Sequence, residues 1–218
     1  MGDCIMAFWN APLDVPDHAS QACGTSLQMY QDLELLNRDL ESEAVRDNRP
    51  FYPLKIGIGL NTGDCVVGNM GSEQRFDYSV LGDSVNLASR LESQSKNYGA
   101  HVVVGETTYG KVRDEYALLE LDLIAVKGKS EAVRIYSLEG NSELAASEAF
   151  QSFRRTHDRM LVAHRAQRWD EACKLLGELR RKEGVNQTLY DMYEERITEY
   201  LANPPAPDWD GVYVASSK

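Results

Sequence analysis

The sequence predicts an α+β domain that continues into a run of helices, and three observations carry this. Residues 54–60, Leu-Lys-Ile-Gly-Ile-Gly-Leu, alternate with the period of a strand that buries one face. The stretch 75–92, R-F-D-Y-S-V-L-G-D-S-V-N-L-A-S-R-L-E, reads as a strand that stops at Leu81-Gly82 and hands over to an amphipathic helix. After a polar, glycine-containing boundary at 139–142 the pattern turns wholly helical.

Length and charge bound the rest. The 218 residues suffice for one good core, or for a domain with a helical appendage. A net charge of −11 disfavours non-specific binding to nucleic acid, which needs clustered Lys and Arg. A small anionic substrate stays open, because a few local cations decide that. No apolar run approaches the length of a membrane span, and Asp3 with no basic segment before it argues against a signal peptide. Met6 stands where an N-myristoylation motif needs Ser or Thr, so Gly2 is not read as an acceptor. Cys4, Cys23, Cys65 and Cys173 are scattered, as expected of reduced cytosolic thiols.

Taken in order, residues 1–9 end in a continuous apolar run, as in a strand buried on both faces. Residues 16–46 read as a helix opened by Asp17, with Ala19, Ala22, Cys23, Leu27, Tyr30, Leu33, Leu36 and Leu40 on one face. The turn Asn61-Thr62-Gly63-Asp64 suggests that 54–60 pairs with 65–70 as a hairpin. Gly57 and Gly59 fit no phosphate-loop pattern; they mark either close approach of a backbone or ligand, or a weak strand. In the helix after Gly82, Leu87, Ala88 and Leu91 share one face, Asn86 and Arg90 nearly the opposite one, and Asp83 is the expected N-cap. Strands follow at 101–104, 116–126 and 131–138, with a short helix at 106–112. The turn Lys127-Gly128-Lys129-Ser130 is a solvated tip or a way to point cations at a phosphate. In the helical part, Phe150, Phe153, His157, Met160 and His164 share a face. His157 and His164, seven apart, are read as packing residues rather than metal ligands. Residues 166–172 resemble a tetratricopeptide turn, but one partial unit is not a repeat array. The proline-rich tail is expected to lie extended on the surface.

Together Gly2-Asp3 with Met6-Ala7-Phe8-Trp9, the string 56–63, Gly68-Asn69-Met70-Gly71-Ser72, the run 77–92 and Val126-Lys127-Gly128-Lys129 resemble the catalytic domain of class III nucleotidyl cyclases, over about residues 2–138. Five motifs in one order are far more specific than any alone. The resemblance implies a ferredoxin-like cyclase fold lacking its first strand, followed by a small helical extension. It divides the chain into a partial catalytic domain at 1–140, a helical extension at 141–202 and an extended tail at 203–218. It also implies closure of ATP to 3′,5′-cyclic AMP and pyrophosphate, with GTP the less favoured substrate. The site would form between head-to-tail protomers, either of a homodimer or with a partner cyclase, and two Mg²⁺ or Mn²⁺ ions are expected in the complete site. By position, Asp3 resembles a metal-binding aspartate, Asn86 the ribose-orienting asparagine and Arg90 the arginine that stabilises the pentavalent phosphoryl group. Lys127 resembles the triphosphate-binding lysine, and Ser79 falls where the purine is selected. These roles suit phosphoryl transfer, which needs positioning and charge neutralisation more than covalent chemistry. The tail resembles bacterial members that follow a membrane-bound extracellular sensor, which implies a cytosolic location for this domain.

The departures are as informative. The family's first strand, with its F-x-D-I-x-G-F-T-like sequence and the other metal aspartate, is expected before residue 1, as is the adenine-reading lysine. One carboxylate holds Mg²⁺ poorly. The chain alone is therefore expected to be impaired, and a non-catalytic cyclase-like module that binds nucleotide or regulates a partner is the alternative. A helical-repeat adaptor built on 143–202 covers too little of the chain.

Overall fold

A computed structural model describes residues 4–72, 75–125 and 132–214, with the side chains of 72, 75 and 76 excepted. The elements follow as α1 (His18–Arg46), β1 (Ile58–Leu60), β2 (Val66–Ser72), β3 (Arg75–Leu81), α2 (Asp83–Tyr98), β4 (Val102–Gly105), α3 (Glu106–Val112), β5 (Ala117–Ala125), β6 (Ala132–Gly140), α4 (Ser142–Ala146), α5 (Glu148–Arg165), α6 (Trp169–Leu179), α7 (Gln187–Ala202) and β7 (Tyr213–Val214). The valine run of β4 is buried on both faces and forms the inside of a mixed sheet ordered β1-β4-β6-β5-β7. β1 runs parallel to β4, β7 parallel to β5, and the other pairs are antiparallel. β2 and β3 form a separate antiparallel ribbon. The architecture is α+β, as expected.

Alternation along the strands divides the core between two faces. Val102 and Val104 point to one face, with Leu60, Leu118, Tyr136 and Leu138, where Ala19, Ala22 and Cys23 of α1 cover them. Val103 points to the other, with Leu121 and Ile135. There α2 contributes Leu87, Leu91 and Tyr98, and α5, α6 and α7 contribute Met160, Leu176, Leu179, Tyr193 and Ile197 to the same cluster. The apolar stripe of α2 is thus the predicted one. A bulge between Glu120 and Asp122 adjusts β5 against β6.

Four expectations are corrected. Residues 4–9 are not a strand, and Ile5 is 79% exposed. A strand needs a hydrogen-bonded neighbour, and no described strand presents one; only Phe8 and Trp9 find partners, Phe8 against Tyr78 at 5.9 Å between centroids and Trp9 on the α1 side of the core. The hairpin is β2 with β3, not 54–60 with 65–70, and β1 is only three residues long. The side chains of the connecting segment point elsewhere: Asn61 Nδ2 donates to the Ser84 carbonyl at 3.0 Å, and Thr62 pairs with Thr108 at 2.8 Å. The buried face of α1 is not continuous: Leu36 is 47% exposed, while Ala44 near the helix end is buried. Beyond Leu36 the helix lies against the irregular segment before β1, with Asn37 bonded to both backbone groups of Leu54. Finally, Asp83 is the first residue of α2, not its N-cap. The Gly82 carbonyl accepts from the amides of Val85 and Asn86, and the Asp83 carboxylate stands in the first turn, where the helix dipole favours it.

The helical part forms as its pattern predicts, with side-chain caps from Asn141, Ser147 and Asn186. His157 is a packing residue: one ring nitrogen meets Tyr190 Oη at 2.9 Å and the other the Glu120 carbonyl at 2.7 Å, and burial pushes its pKa down to about 4. His164 lies among the rings of Trp169, Tyr193, Tyr200 and Trp209, at 5.2 to 5.9 Å between centroids, and is likewise held down to about 4. The tail departs from a purely surface course. Its prolines are largely exposed, but Trp209 packs into this ring cluster and Tyr213–Val214 add β7 to the sheet. Aromatic anchoring outweighs the extended preference of the proline run.

Candidate active site

The site depends on how closely α2 lies on β1. A methyl group at Gly59 would overlap the Ala88 carbonyl and the Glu92 amide, both backbone atoms of α2. One at Gly57 or Gly63 would overlap the hydroxyl of Ser95 or Ser84. Gly59 therefore admits the backbone of α2, and Gly57 and Gly63 admit two of its serine side chains. The helix is held at both ends, by Asn61 on the Ser84 carbonyl and by a left-handed Gly99 with φ 61° at its C-cap.

With its inner face fixed by Leu87 and Leu91, α2 turns Asn86 and Arg90 to solvent one turn apart. Among the described residues neither side chain has a hydrogen bond or ion pair. An exposed guanidinium with no protein partner, beside an exposed amide, is available to an external anion. Ser79 is half-buried on β3, opposite Gly68 in the ribbon and directly upstream of the Gly82 turn. Strand, turn and helix thus bring Ser79, Asn86 and Arg90 onto one continuous supersecondary unit. Asp3 and Lys127 lie outside the described residues.

Among the described residues no cluster of three or more His, Cys, Asp or Glu is arranged to hold a metal ion. What the arrangement offers chemically is a cation and an amide on one exposed face of a fixed helix, suited to an anionic, hydrogen-bonding ligand.

The catalytic-domain model of adenylate and guanylate cyclases matches residues 1–140. The chain belongs to that family. Adenylate cyclase 1 of Rhizobium meliloti is 34% identical over 139 residues, covering 64% of this chain and 20% of the relative. The adenylate cyclase of Anabaena cylindrica is 32% identical over 143 residues, covering 64% and 27%. The chain therefore spans less than a third of the length of these relatives. Among solved structures, the adenylyl cyclase CyaB from P. aeruginosa aligns with a TM-score of 0.52 and 32% identity, over 59% of this chain and 63% of that one. The guanylyl cyclase Cya2 aligns equally, at 0.52 and 32%, over 62% and 64%. The α+β architecture is accordingly the ferredoxin-like cyclase fold. No helix among the described residues is long and apolar enough to cross a membrane.

A buried polar cluster behind α2 escaped the sequence reading. Tyr98, Asp122 and Arg196 meet there from three elements far apart in sequence. One signal was visible: Arg196 falls on the same helical face as Leu189, Tyr193 and Ile197, an apolar face where a cation needs a partner.

Proposed function

We propose that this chain supplies the transition-state half of a nucleotidyl cyclase site, closing ATP to 3′,5′-cyclic AMP. The 3′-oxygen of the ribose forms a bond to the α-phosphorus and loses its proton, and the bond from that phosphorus to the β-phosphate bridge breaks to release pyrophosphate. Arg90 would stabilise the charge on the pentavalent phosphoryl group, Asn86 would orient the ribose, Ser79 would face the purine, and Lys127 would contact the triphosphate. Metal carboxylates would come from a head-to-tail partner, with Asp3 as this chain's matching aspartate, and Mg²⁺ or Mn²⁺ would neutralise the triphosphate when bound. The observation that carries the reading is the unpartnered, exposed pair Asn86 and Arg90 on one face of α2. ATP is favoured over GTP by Ser79 and by the adenylate cyclases among the relatives.

The test is complementation. The chain is mixed with a cyclase catalytic domain that retains both metal aspartates but has lost its own asparagine and arginine, and cyclic AMP and cyclic GMP are measured with Mn²⁺. Turnover of ATP in the mixture, and little in either component, is expected. ATP binding without turnover would identify a non-catalytic module instead, and preferential turnover of GTP would overturn the substrate assignment.

A further inference from the structure

The C-terminal helices reach the back of the candidate site through one buried polar node. Tyr98, the last residue of α2, is fully enclosed and donates its hydroxyl to Asp122 Oδ2 at 2.7 Å. The same oxygen accepts from Arg196 Nη1 of α7 at 2.6 Å, and Arg196 Nη2 reaches the Tyr98 oxygen at 3.4 Å. The Arg196 guanidinium also lies 3.4 Å from the ring centroid of Tyr213. Tyr213 belongs to β7, which pairs with Ile124 and Ala125 at the end of β5, two residues before Lys127. Around the node α7 grips the end of α2 further: Asn186 Nδ2 donates to the Tyr98 carbonyl at 2.8 Å, and a methyl at Gly99 would come within 2.6 Å of Thr188 Cβ.

We propose that Arg196 is a positioning residue that sets the roll of α2 through Tyr98 and so places Arg90, and that it holds the end of β5 through Tyr213. This rests on the cyclase reading above. Arg90 lies eight residues from Tyr98 on a single helix, about 12 Å along its axis. Turning α2 about its axis would carry the Tyr98 hydroxyl off the Asp122 carboxylate and leave it buried without an acceptor, while Asp122 and Arg196 stay paired across β5 and α7. An apolar trio could hold the helix as firmly, but would tolerate several rolls. Burial and the Asp122 carboxylate push the Tyr98 hydroxyl well above the ordinary tyrosine range, so it stays a hydrogen-bond donor to that carboxylate.

The experiment uses the complemented assay together with hydrogen exchange on the same samples. Tyr98→Phe removes one hydroxyl and keeps the ring; Arg196→Lys keeps the charge and loses the fork. Tyr190→Phe is the control, since it removes an equally buried hydroxyl of α7 that bonds His157 and not α2. In both node variants exchange across residues 83–98 should accelerate, and kcat should fall about ten-fold with KM within about two-fold, the signature of a displaced transition-state contact. Tyr190→Phe should change neither. Unchanged exchange, or faster exchange with unchanged kcat, overturns the node. A similar loss in Tyr190→Phe overturns it too, as that would be general loosening. No turnover in the unmutated mixture would overturn the cyclase reading and with it the catalytic half of the proposal. The exchange data tell that failure from failure of the node.

Discussion

Gly59→Ala is a one-methyl test of how the site is held. The added carbon would overlap two backbone atoms of α2, the Ala88 carbonyl and the Glu92 amide, and neither can swing aside as a side chain end would. Relief requires the helix to move off β1 by most of a methyl radius. Overpacking of this kind costs about 1–3 kcal/mol. For a chain of this size that lowers the melting temperature by roughly 2–12 °C. The functional effect should be larger than the stability effect, because Asn86 and Arg90 ride on the same helix. A displacement of about 1 Å at a transition-state group can cost about a hundred-fold in rate. The assay is the complemented cyclase reaction, with melting followed in parallel. Gly110→Ala is the control: no atom lies within 4 Å of the added methyl, and alanine is the better helix former, so a small gain in stability and no change in rate are expected. If Gly59→Ala kept the unmutated rate and melting temperature, the close approach of α2 would not be what holds the site, and the argument would fail.

Two further outcomes are expected. Arg90→Ala should leave the unfolding free energy unchanged to within about 0.5 kcal/mol, since the side chain is exposed and unpartnered among the described residues, yet lower kcat by about a hundred-fold or more; near-normal turnover would remove Arg90 from the site. Acid should destabilise the helical part through His157 and His164, both held near 4 against an ordinary 6.5 by burial. Each is neutral when folded and takes up a proton on unfolding below pH 6.5, so stability present at pH 7 is lost between 6.5 and 4, by roughly 3 kcal/mol per histidine. Partial desolvation raises Glu139 and Asp158, which works the other way over acid pH, but both side chains are exposed and the opposing effect is small. Urea midpoints at pH 7.5 and 5 measure the balance, and His157→Gln should flatten the dependence; an equal dependence in that variant would sink the assignment to His157.

Local pattern was enough where one element decides its own shape. The alternation in 75–81, the Leu87-Ala88-Leu91 stripe and the ridge from Phe150 to His164 each follow from a period that the chain carries by itself. Pairing was less legible, because any alternating strand can join any other. The turn at 61–64 suggests pairing of 54–60 with the next strand in sequence, whereas β1 joins β4 beyond the β2–β3 ribbon and α2. The run 4–9 shows the converse: apolar composition creates a demand for a partner but does not supply one. Within the site, Asn86 and Arg90 were readable because a helix fixes their spacing. Tyr98, Asp122 and Arg196 were not, because they are 24 to 98 residues apart and only folding brings their charges together.

The shared core behind the sheet has a consequence for what counts as a part of this protein. Homology recognises a module that stops at residue 140, while the apolar cluster that includes Leu87, Leu91 and Ile135 is closed by Met160, Leu179, Tyr193 and Ile197. The inherited module and the cooperative unit therefore have different borders. A cut at the first border would pass through the second, leaving the back of α2 wet. The helices after residue 147 form one wall of the core that α2 closes, so this chain cut at residue 140 would lose that wall.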